Sequence, residues 1–91
     1  MKYKIKTTKR FEKDLKLMAK RGYKIELLKE VIDKLANGIE LEAKYKNHNL
    51  VGNWNGYKEC HITPDWLLIY LIEDDVLVLT LTRTGSHSDL F

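Results

Sequence analysis

Trp66-Leu67-Leu68-Ile69-Tyr70-Leu71-Ile72 is an unbroken apolar run, and it constrains the fold more than any other stretch. Successive side chains of a strand point to opposite faces. A run apolar at every position therefore needs cover on both and reads as the central strand of a sheet. Pro64, the only proline, lacks a backbone N–H and cannot lie inside a paired central strand, so the chain turns at Thr63-Pro64-Asp65. Tyr57 to Ile62 reads as the strand before that turn. Glu73-Asp74-Asp75 is the turn after the run, and Val76 to Thr82 its partner strand. Leu77, Leu79 and Leu81 share one face there, and Arg83 continues it. If the last two strands form a hairpin, the start of one lies beside the end of the other. That brings His61, Asp65, Arg83 and His87 to one end of one sheet.

The preceding residues supply a scaffold. Lys2-Tyr3-Lys4-Ile5-Lys6 alternates polar and apolar, as a half-buried strand does. Thr7 or Thr8 can cap the next element, a helix in which Phe11, Leu15, Met18 and Ala19 recur at helical spacing, and Gly22 suits its end. A second helix carries Ile25, Leu28, Val31, Ile32 and Leu35 on one stripe and closes at Asn37-Gly38. Residues 39–53 have no clean period and read as a structured loop with a short turn of helix. The order β-α-α-β-β-β over residues 1–91 predicts one α+β domain, a helical hairpin packed on a mostly antiparallel four-stranded sheet.

Charge is uneven along the chain. Residues 1–24 hold ten Lys/Arg against two acids, and residues 25–91 hold six against eleven. The basic third suits a polyanionic partner: RNA, DNA or an acidic protein. The single Cys60 cannot form an internal disulfide, which fits a reducing compartment. No run reaches the roughly 18 apolar residues of a membrane-spanning helix, and Met1-Lys2-Tyr3-Lys4 lacks the apolar core of a signal peptide. A cytoplasmic location, with no membrane partner, is expected.

The polar residues suit transesterification of RNA. A ribose 2′-OH attacks its own phosphorus and expels the next 5′-oxygen, which requires a base, an acid and positive charge for the phosphorane. Histidines, Asp65 and Arg83 supply these without a cofactor. Trp66 and Phe91 offer faces for stacking bases, and Lys44 and Lys46 are further substrate-binding candidates. His61, Asp65 and His87 as a metal triad is the competing chemistry, ranked lower because His-x-x-x-Asp here spans a proline turn. No metal is expected. Cys60 reads as core.

Three separated segments, His48-Asn49-Leu50-Val51-Gly52-Asn53-Trp54, His61 through Tyr70, and Arg83 through Phe91, together resemble the YafQ branch of the RelE/ParE toxin superfamily. The resemblance implies a type II toxin–antitoxin toxin, inhibited by a labile antitoxin, that enters the ribosomal A site and cuts mRNA without a metal. It implies His48, His61, Asp65, Arg83, His87 and Phe91 as active-site positions, with Trp66 in support. His87 is then the expected general acid, and Asp65 or His48 the base. His61 orients the phosphate and Arg83 binds the phosphorane charge. Ribosomal RNA is an expected partner of the basic N-terminal third. The runner-up is a ParE-like toxin on the same fold that inhibits DNA gyrase without cutting RNA.

Overall fold

Thr8 starts the first helix, its Oγ1 accepting a hydrogen bond from the Phe11 N–H at 3.0 Å. The computed structural model describes residues 1–91. In order they form β1 (Lys4–Thr7), α1 (Lys9–Lys20), α2 (Ile25–Ala36), a 3-10 turn (Ala43–Tyr45), β2 (His48–Asn49), a second 3-10 turn (Gly52–Trp54), β3 (Lys58–Thr63), β4 (Trp66–Glu73), β5 (Val78–Gly85) and α3 (His87–Leu90). Gly22, at φ +83°, takes the left-handed conformation that lets the chain leave α1 and enter α2.

The sheet has five strands in the order β1-β5-β4-β3-β2. β1 runs parallel to β5, and the other neighbours are antiparallel. The fold is α+β as expected, with one strand more than the four anticipated. The extra strand is β2, two residues long, inside the segment that reads as loop. Two residues are too few to show a period, so only their pairing with β3 reveals them.

β4 is covered on both faces. Trp66, Leu68 and Tyr70 pack with Phe11, Met18, Leu28 and Val31 of the helices, while Leu67 and Ile69 pack with Leu90 on the other face. Full burial of each such side chain is worth roughly 1.5–3 kcal/mol. Cys60 is buried in the larger cluster. Burial and then the neighbouring Glu59 push its thiol up to about 12, which leaves it inert.

Two expectations for the last strand are corrected. Leu77 is not on a buried face; it lies in the turn before β5, at φ +52° and 47% exposed. Arg83 does not continue the Leu79–Leu81 face. Tyr70 pairs with Leu81 but Ile69 pairs with Arg83, so Thr82 is an extra residue opposite a single step of β4. Such a bulge inverts the alternation beyond it. Arg83 thereby joins the Ile69 face, and Thr84 faces the helices.

Candidate active site

β3 places the chemistry. In its register Cys60 pairs with Leu68 on the helix side, while Glu59 pairs with Ile69 and His61 with Leu67 on the opposite face. β2 then sets His48 opposite Glu59. Glu59 is only 4% exposed. Its Oε1 lies 3.4 Å from His48 Nε2 and 3.8 Å from His61 Nε2. Both rings turn their other nitrogen to a backbone carbonyl: His48 Nδ1 donates to Lys46 at 2.6 Å, and His61 Nδ1 to Pro64 at 3.3 Å. A carbonyl only accepts, so each Nδ1 carries its proton and each Nε2 is left to exchange one.

α3 delivers the third ring. Ring centroids run from His48 to His61 at 6.5 Å, from His61 to His87 at 6.0 Å, and from His87 to Phe91 at 6.2 Å. Asp65, in the β3–β4 turn, stands at the His87 end. Its Oδ1 accepts from the His87 backbone N–H at 3.5 Å and lies 3.9 Å from Nδ1 of the ring. Access dips in the middle of the row: the His61 side chain is 14% exposed, against 47% for His48 and 58% for His87. Phe91 is 60% exposed and presents its face at the open end.

Lys44 and Lys46 line, with His61, Thr63 and Pro64, a cavity of about 390 Å³ whose wall also includes Leu27 and Glu30 of α2. Arg83 is more constrained. Its Nε donates to Asp14 Oδ2 at 2.7 Å and its Nη2 to Asp14 Oδ1 at 3.1 Å, and these bonds hold its guanidinium firmly charged. A guanidinium has five N–H donors, so Nη1 is still available to an anion.

Trp66 is the sequence candidate that the structure corrects. It is fully buried on the helix side, its ring edge-on to Tyr23 at 5.2 Å. Its Nε1 donates to Thr84 Oγ1 at 2.9 Å, and that hydroxyl donates to the Leu67 carbonyl at 2.7 Å. No base can reach it; it is a fastener between β4 and β5. The metal triad of His61, Asp65 and His87 is not assembled either, because no three His, Cys, Asp or Glu side chains converge to hold an ion.

Glu59 is the residue that sequence reasoning missed. Its signal was present: two positions before His61 in a strand means the same face, and an acid there needs a partner.

The arrangement has close counterparts. The family model for the bacterial toxin of the type II toxin–antitoxin system, YafQ, matches residues 3–91. The mRNA interferase toxin YafQ of Escherichia coli K12 is 43% identical over 82 residues, spanning 89% of this chain and 87% of that protein. A metal-bound toxin from Helicobacter pylori shares the fold with a TM-score of 0.91 at 45% identity, over 98% of this chain and 99% of that one. A chain of the E. coli DinJ–YafQ toxin–antitoxin complex gives 0.90 at 39% identity, over 100% and 99%. With a matching family profile along nearly its whole length and the same fold beneath it, this chain belongs to the YafQ family of bacterial type II toxin–antitoxin toxins.

Proposed function

We propose that this mRNA interferase cuts translated mRNA in the ribosomal A site by attack of a ribose 2′-OH on its own phosphorus, using side-chain acid–base catalysis and no metal ion. The observation that carries the reading is the row of imidazoles, His48 to His61 at 6.5 Å and His61 to His87 at 6.0 Å. An in-line displacement needs its base and its acid on opposite sides of the phosphorus. His48 and His87 occupy opposite ends of the row, with His61 between them. Asp65 lies at the His87 end, which favours His48 over Asp65 as the base.

His48 Nε2 takes the 2′-OH proton as the 2′-oxygen bonds to phosphorus. The bond from phosphorus to O5′ breaks, and His87 gives its proton to the departing 5′-oxygen. The products are a 2′,3′-cyclic phosphate and a 5′-hydroxyl. His61 and the free Nη1 of Arg83 face the charge that builds on the phosphorane. Phe91 stacks an unpaired base at the open end, and Lys44 and Lys46 attract the phosphate chain beside His61. Asp65 steadies the His87 turn. The exposed row leaves much of the substrate alignment to the ribosome, which presents the strand in one conformation.

The E. coli relative forms a complex with DinJ, and a cognate antitoxin is accordingly the partner expected to silence this chain. A substrate held on translating ribosomes makes the cytoplasm its field of action. The deciding experiment uses ribosomes programmed with an mRNA carrying a single deoxyribose at the scissile position. Cleavage there should vanish while neighbouring sites are still cut. Cleavage at the deoxy position would mean that water, and not the 2′-OH, attacks. On the metal-free reading, chelator leaves the chemical step unchanged once the ribosomes are kept intact.

A further inference from the structure

α3 is a single turn of four residues, His87–Leu90, far shorter than a helix that holds itself together in water. Its shape must come from its attachments. Leu90 is buried against Leu67 and Ile69. Ser86 and Asp89 close a capping box: Asp89 Oδ2 accepts from the Ser86 N–H and hydroxyl, each at 2.9 Å, and Ser86 Oγ accepts from the Asp89 N–H at 3.3 Å. Asp89 packs tightly over Gly85, where an added Cβ would stand 3.0 Å from the Asp89 Cβ.

The same Asp89 Oδ2 accepts a bond from Arg21 Nη1 at 2.7 Å. Arg21 caps the C-terminus of α1. It stands seven residues, two helical turns, after Asp14 and so on the same face of α1. α1 therefore grips the segment after the β5 bulge at two points, through Asp14 on Arg83 and through Arg21 on Asp89. The bond from Arg21, ahead of those from Ser86, holds the Asp89 carboxyl down at about 2.

We propose that Arg21 is a positioning residue, which through Asp89 fixes the α3 turn and thereby keeps the His87 ring in line with His61. The proposal rests on the reading of His87 as the general acid. Arg21 itself shares no hydrogen bond or ion pair with the histidine row. Its side chain is 41% exposed, and an exposed ion pair adds little to global stability. Its effect therefore falls on the placement of one imidazole, and a misplacement of about 1 Å can cost as much as ~100-fold in rate.

The test compares wild type, Arg21→Ala, Arg21→Lys and His87→Ala in single-turnover cleavage on programmed ribosomes, with the toxin titrated to saturation. Arg21→Ala should melt near the wild-type temperature and half-saturate at the same concentration, yet cleave about tenfold slower at saturation. Arg21→Lys should recover most of the rate. In the free toxin, the ring resonances of His87 should shift or broaden in Arg21→Ala, while those of His48 stay in place. If Arg21→Ala loses its cooperative melt, Arg21→Gln, which keeps most of the aliphatic stem, carries the same comparison. An unchanged saturated rate in Arg21→Ala beside an inactive His87→Ala overturns the clamp and leaves His87 as the acid. Weakened ribosome binding with an unchanged saturated rate overturns it too, making Arg21 a contact to ribosomal RNA. A fully active His87→Ala overturns the assignment of the acid itself.

Discussion

The buried carboxylate of Glu59 lies 3.4 Å from His48 Nε2, on a ring whose other nitrogen is already bonded to a backbone carbonyl. Glu59 has no other strong cation beside it; its second neighbour is His61. In that position Glu59 orients both rings and, on the proposed mechanism, faces the positive charge that His48 carries after taking the 2′-OH proton. Replacing it with Gln keeps the volume and removes the charge. Glu59→Gln should lower the single-turnover cleavage rate by about tenfold or more while the protein stays folded, because acid–base groups contribute roughly 10²–10⁴-fold when correctly held. An unchanged rate would make Glu59 a packing residue only.

Asp14 accepts three hydrogen bonds, from Arg83 Nε and Nη2 and from the Thr84 N–H at 3.2 Å. Asp14→Ala strands a largely buried guanidinium and a buried amide. Breaking a buried pair from one side costs about 3–5 kcal/mol, and urea unfolding should report a loss of that order. A loss below about 1 kcal/mol would place the pair in the class of solvent-screened surface bridges.

Acid should loosen α3. The Asp89 carboxyl is lowered from its ordinary 3.8 to about 2, chiefly by the bond from Arg21 and then by Ser86. A carboxyl depressed in the folded state contributes stability that is fully present above its unfolded value and is lost as pH falls through its folded value. Wild type should therefore be slightly more stable than Asp89→Asn above about pH 4, the gain being small because water screens the exposed Arg21 partner, with the difference shrinking towards about pH 2. Urea unfolding at a series of pH values measures it. A gap that does not narrow over that range would show that the carboxylate charge is not what holds the turn.

The cations Lys9, Arg10, Lys13, Lys16 and Lys20 are all exposed on α1, and none of them is held in an ion pair. On the ribosome-dependent reading proposed above, they are free to meet ribosomal RNA. Changing Lys9, Lys13 and Lys16 to Glu should weaken ribosome binding and flatten its dependence on salt, with the saturated cleavage rate unchanged. Binding measured at several salt concentrations decides this; an identical salt slope would leave these lysines as a solvated face.

Much of the fold can be read directly because its determinants are local. The run from Trp66 to Ile72 demands cover on both faces, Thr8 caps the helix immediately after it, Gly22 admits the left-handed turn that ends α1, and Pro64 restricts the backbone where it stands. The meeting of His61 with His87 is legible for the same reason, since a hairpin has few registers open to it. Local pattern does not carry the partner across a strand, or the place where alternation slips. His48 joins the row only because two residues pair with β3, and Glu59 becomes a buried acid only once that pairing and the second core cover it. Trp66 and His61 belong to one sequence motif, yet the irregular register between His61 and Thr63 and the alternation of β4 send the indole into the core. Counting in twos puts Arg83 on the Leu79–Leu81 face; the bulge at Thr82, with Asp14 waiting on α1, puts it on the other. Periodicity states which residues share a face while the count holds. Where it breaks is decided by packing between residues far apart in the chain, and that is a property of the assembled tertiary structure.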